Sequence, residues 1–178
     1  MIRRTILLGT LAIAACGPVT PPPTIPVSAA PGERVIDPIV RAGNNATAFF
    51  RRPQPNQPAV AARAIADIEY LAGAVPADPR WQTASSSAQV QLIQARNQAR
   101  QALGIPRTAS AQDVIDGLTR AADALDANDR AAAAQALPRS IFTAGPDQTL
   151  RRLAQPPRIP SASAALAALS AGPSPRGP

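Results

Sequence analysis

Pro58-Ala59-Val60-Ala61-Ala62-Arg63-Ala64-Ile65-Ala66-Asp67-Ile68-Glu69-Tyr70-Leu71-Ala72-Gly73 decides the fold class. Val60, Ala64, Ile68, Leu71 and, beyond it, Val75 recur at the 3.6-residue period of an α-helix, and Ile65 and Ala72 widen that apolar stripe. Asn56 is placed to cap the start, Pro58 suits a first turn, and Gly73 followed by Pro76 predicts the stop. Arg63 and Asp67 stand four apart on the opposite side, an exposed pair worth a few tenths of a kcal/mol, about 0.3.

Two further helices follow the same logic. The connector Val75-Pro76-Ala77-Asp78-Pro79-Arg80-Trp81 leads to a helix over Ser86 to Leu103, ended by Gly104 and Pro106. Its stripe is Ala88, Leu92, Ala95, Ala99 and Ala102, and a polar, positive face carries Gln91, Gln94, Arg96, Gln98, Arg100 and Gln101. Trp81 is expected to seal the end of a bundle. Ser110 with Asp113 three residues on resembles a capping box and opens a third helix with Val114, Ile115, Leu118, Ala122 and Leu125 inward. Asp116 and Arg120 are spaced for an ion pair on its outer face. Asn128-Asp129 marks either a bend or the cap of a short fourth helix through Leu137. Gly145-Pro146 begins another short helix with Leu150 and Leu153.

The expected architecture is a small, Ala-rich, all-α helical bundle: three main helices plus short C-terminal ones, within residues 56–155. Hydrophobic residues make up 46% of the 178, but alanine inflates that figure and aromatics are only 3%. Alanine buries little area, so close packing of Ala faces has to supply what large side chains do not. The 21 prolines cluster between the helical stretches, as linkers. Residues 32–55, with Val35, Ile36, Ile39 and Val40 and an Asn44-Asn45 turn before Phe49-Phe50, read as an irregular extended segment. Residues 156–178 read as a Pro- and Ala-rich tail in which 161–171 is at most one marginal helix, and the last six residues as disordered.

The N-terminus carries an address. Met1-Ile2-Arg3-Arg4 is followed by the apolar run Ile6 to Ile13 and then Ala14-Ala15-Cys16, the layout of an export signal over residues 1–15. The run is well short of the ~20 residues that span a bilayer. Arg3-Arg4 also faintly resembles a twin-arginine signal, although paired arginines open many export signals. Ile13-Ala14-Ala15-Cys16 resembles the lipobox of bacterial lipoproteins. That resemblance implies cleavage before Cys16, a diacylglyceryl group on its thiol, and lasting attachment through more than one acyl chain. Ile13, Ala14 and Ala15 would be what the signal peptidase recognises. Cys16 is the sole cysteine, so no internal disulfide competes for it. Gly17 in place of an aspartate leans, by the same resemblance in a Gram-negative host, towards the outer membrane facing the periplasm. Residues 16–31, with Pro18, Pro21, Pro22, Pro23 and Pro26, predict a semi-rigid polyproline stalk that holds the domain clear of the membrane.

Charge and residue types then limit the chemistry. The formal charge is +7, or +5 once Arg3 and Arg4 are removed, and every basic side chain is arginine. A biased genome explains that usage; forked recognition of phosphate or carboxylate is the functional alternative. Without histidine or lysine, and with the cysteine committed to lipid, the usual nucleophile–base pairs and Schiff-base chemistry are excluded. The carboxylates Asp113, Asp116, Asp123, Asp126 and Asp129 interleave with Arg120 and Arg130 as a solvated face does, and Asp126-Ala127-Asn128-Asp129 lacks the closing glutamate of a calcium loop. No metal, cofactor or nucleic acid is expected. The leading expectation is a non-enzymatic envelope lipoprotein that binds or scaffolds another envelope protein through a helical surface. The alternative is contact with lipopolysaccharide phosphates or anionic lipid through Arg63, Arg96, Arg100, Arg107, Arg151 and Arg152, and a cryptic hydrolase stands third.

Overall fold

The computed structural model describes residues 21–26, 36–81 and 86–170. Among these residues there are seven α-helices and no strand: α1 Pro38–Arg51, α2 Pro58–Ala77, α3 Ser86–Leu103, α4 Ala111–Asp126, α5 Arg130–Gln135, α6 Pro146–Ala154 and α7 Pro160–Ser170. A 3-10 turn, Pro79–Trp81, follows α2. The all-α bundle read from the sequence is therefore the architecture.

α2 is its axis. Fourteen of its twenty residues are buried, which leaves almost no outer face, and α1, α3, α4 and α6 pack around it. A helix covered all round is hydrophobic all round, and the alanines make that close approach feasible. α3 and α1 in turn hold α7, and α5 bridges α4 to α6. Phe142, in the loop before α6, is fully buried and fills the notch left by Gly117 of α4, where a Cβ would stand 2.9 Å from the Phe142 ring.

Several sequence expectations are corrected. α2 does not stop at Gly73; it runs on to Ala77 with Pro76 inside it, and Gln57, not Asn56, occupies the N-cap position. Asn56 instead adopts a left-handed φ of 60° and donates its N–H to the Ala154 carbonyl at 2.7 Å. Gly73 serves as a notch, because a Cβ there would meet Pro23 at 2.6 Å. Val60, expected inward, is 45% exposed.

The segment read as irregular and extended over 32–55 contains α1. Asp37 caps it by accepting from the N–H of Ile39 at 2.8 Å, Pro38 fits the first turn, and Ile39, Ala42, Ala46 and Phe49 are buried along one face. The tail read from residue 156 onward contains α7. Its Ala162, Ala165, Leu166 and Leu169 are buried, and Ser161 and Gln98 of α3 exchange hydrogen bonds, Nε2 to Oγ at 3.0 Å and backbone N to Oε1 at 3.3 Å. The bundle thus extends from α1 through α7, past both limits of 56–155.

The expectation of a free-standing proline stalk is corrected where the stalk is described, over residues 21–26. Residues 21–26 lie against the bundle: the Thr24 backbone N–H donates to Gln112 Oε1 at 2.8 Å, Gln112 Nε2 donates to the Thr24 carbonyl, and Arg41 Nη2 donates to the Pro26 carbonyl at 2.7 Å. Ile25 packs on the core between these anchors.

Candidate functional site

Three features gather the polar and exposed apolar chemistry of the domain. The first is internal. Glu69 of α2 is fully buried, and Arg100 of α3 closes on it with Nε to Oε1 at 2.7 Å and Nη2 to Oε2 at 2.8 Å. The remaining Arg100 nitrogen, Nη1, donates to the carbonyls of Pro106, Arg107 and Ala109, so one guanidinium fastens α2, α3 and the loop before α4. Burial pushes the Glu69 carboxyl above its ordinary range, while the Arg100 bonds and charge pull it down.

The second is Asp67. It is 3% exposed, its Oδ2 finds no hydrogen-bond partner among the described residues, and burial raises its pKa to about 7 against the opposing pull of Arg41 and Arg63. The side chain lines a cavity of about 180 Å³ whose other walls include Arg41, Asn45, Arg63 and Thr119, with Ile25 and Pro26 across one side. The expected Arg63–Asp67 surface pair is replaced. Arg63 reaches across to α4 and binds Asp123 Oδ1 and Asp126 Oδ2, each at 2.8 Å, because α4 covers the side of α2 that counting alone leaves to solvent. Chemically, Asp67 can hold or release a proton near neutrality.

The third is a surface furrow between α1 and α7. Three adjoining depressions share walls: Phe50 and Ser163 line the first and second, and Thr47, Leu166 and Ser170 line the second and third. The first, about 600 Å³, is framed by Pro53, Pro55, Pro156 and Pro157, and the third ends at Val40 and Trp81. Trp81 is half-buried against the core at that end, in keeping with a sealing role. Phe50 sits edge-on to Phe49, ring centroids 5.1 Å apart, which fixes its exposed side in the furrow.

The six arginines singled out from sequence do not stand free as a set. Arg100 is 4% exposed and belongs to the interior, which corrects its reading as a surface contact. Arg63 is bound to two aspartates, Arg152 Nη1 donates to the Ala102 carbonyl at 2.9 Å, and Arg96 Nε is buried with no hydrogen-bond partner among the described residues. Arg107 and Arg151 are exposed, the latter bonded to Gln148 Oε1. Asp116 accepts from Gln112 at 2.8 Å rather than pairing with Arg120.

Ile13, Ala14, Ala15 and Cys16 lie outside the described residues, as do 171–178. Among the described residues no helix is long and apolar enough to cross a membrane, and no group of three His, Cys, Asp or Glu is placed to hold a metal. Comparison of the chain with protein-family models, with curated proteins and with solved structures finds no match.

The Asp67 cavity, the docked Pro-rich segment, the Glu69–Arg100 pair and the α1–α7 furrow were not singled out from sequence. Only the furrow left a signal there, in the Phe49-Phe50 pair and the prolines at 53, 55, 156 and 157.

Proposed function

We propose that the chain is a non-enzymatic lipoprotein of a bacterial envelope, anchored through lipid on Cys16, and that it binds another envelope protein along the α1–α7 furrow. The observation that carries the binding half is the furrow itself. Phe50, Val40, Leu166 and Trp81 line it together with Pro53, Pro55, Pro156 and Pro157. Aromatic and proline walls suit an extended or helical segment of a partner, since they offer area at little cost in side-chain entropy. The anchoring half rests on Ile13-Ala14-Ala15-Cys16.

The polyanion reading draws less support, because four of its six arginines are engaged or buried within the fold. The test is site-specific photo-crosslinking in cells, with the probe at exposed Ser163 in the furrow and, as control, at exposed Asp113 on α4. A discrete adduct from Ser163 that is lost in the Phe50→Ala variant is expected. Equal adducts from both positions, or none from Ser163, would refute the furrow as the binding surface.

A further inference from the structure

We propose that residues 21–26 are a docked strap, and that the anchored protein therefore sits with one end of its bundle against the lipid bilayer instead of on a stalk. This rests on lipidation of Cys16. The strap crosses three helices in order. Pro26 is held by Arg41 of α1, Thr24 by Gln112 at the start of α4, and Pro23 fills the notch at Gly73 in the C-terminal half of α2. Arg63 and Gly73 of α2 face Asp123 and, through the strap, Gln112 of α4, so the two helices run antiparallel. Moving from Pro26 back to Pro23, the chain travels towards the end of the bundle where α2 finishes and α4 begins.

Length then fixes position. Only five residue steps separate Cys16 from Pro21, a reach of at most about 18 Å even fully extended. Were the segment free as far as Asp37, twenty-one steps at the polyproline rise would allow about 65 Å. The docked strap therefore keeps the α2–α4 end, with the Pro79–Trp81 turn and the loop that carries exposed Arg107, within reach of lipid headgroups. The partner of this surface is a phospholipid bilayer. Among the described residues Arg107 of this end is exposed and in no ion pair, so it can meet a headgroup phosphate.

The experiment uses the full chain and exploits the single cysteine. With Cys16 acylated, a Thr108→Cys or Asn128→Cys variant takes one fluorophore, and energy transfer to a headgroup-labelled lipid in phosphatidylethanolamine/phosphatidylglycerol vesicles reports which end is near. Transfer from position 108 is expected to exceed that from 128 severalfold, and Gly73→Leu or the surface change Gln112→Ala should shrink the difference. Equal transfer from the two ends, or a difference that both variants leave intact, would overturn the proposal. Amide exchange at Thr24 in the lipid-free Cys16→Ser chain separates the two premises. Protection there, lost in Gln112→Ala, supports the strap on its own; exchange at the rate of an unstructured peptide overturns it whatever Cys16 carries. Protection at Thr24 with no acyl group on Cys16 in the native protein would instead refute the anchoring reading, and the bilayer contact with it.

Discussion

Glu69 and Arg100 meet as a two-point ion pair inside the bundle, at 2.7 and 2.8 Å, with the carboxylate 0% and the guanidinium 4% exposed. Charges of this kind are expensive to bury, and the cost is offset only because nearly every donor and acceptor is used. Removing one partner strands the other. Arg100→Met and Glu69→Leu are each expected to destabilise the fold by about 3–5 kcal/mol, read as a shift of the urea midpoint. The double variant should fall short of the sum of the two. Full additivity would show that the pair is not coupled.

Asp67 predicts an unusual pH dependence. Its folded pKa of about 7 lies above the ordinary 3.8, so the folded state binds more protons than the unfolded one between those values. Stability from this group is present at acid pH and is lost as pH rises through about 7, at up to about 1.4 kcal/mol per pH unit. Raised Glu69 acts in the same direction, so the contribution of Asp67 is isolated by difference. Thermal melts between pH 5 and 8.5 should show the Asp67→Asn variant less sensitive to rising pH than the parent. Parallel pH profiles would contradict a buried carboxyl whose Oδ2 has no hydrogen-bond partner among the described residues.

Two helical glycines should respond oppositely to the same change. A Cβ at Gly43 of α1 meets nothing within 4 Å, so Gly43→Ala is expected to stabilise by about 0.5–1 kcal/mol through helix propensity. At Gly117 the new methyl would stand 2.9 Å from the Phe142 ring and 3.1 Å from the Ala136 carbonyl, so Gly117→Ala is expected to cost about 1–3 kcal/mol. Chemical denaturation of the two variants side by side checks both signs.

The contrast between legible and hidden features follows one physical line. Periodicity revealed α2, α3 and α4, because their apolar residues repeat every turn over sixteen residues or more. α1 was hidden by Gly43, Asn44, Asn45 and the β-branched Ile39 and Val40, which weigh towards turns and strands one residue at a time. Its stripe of Ile39, Ala42, Ala46 and Phe49, and the Asp37-Pro38 start, were present in the chain but short. Asp67 and Arg100 were assigned to outer faces because a helical wheel knows one buried side. α2 has neighbours all round and α3 packs on α2, α6 and α7, so acids and bases on several faces end inside and must find one another or remain alone. The strap was illegible for a different reason: proline composition sets stiffness, not whether a neighbouring helix offers a glycine notch to receive it.

The anchoring of this domain is tested most directly by the intact mass of the native protein extracted from membranes. A chain that begins at Cys16 and carries acyl mass on that residue is the expected result, with palmitate label incorporated and lost in Cys16→Ser. A chain that retains Met1, or a Cys16 with a free thiol and no acyl mass, would contradict the account.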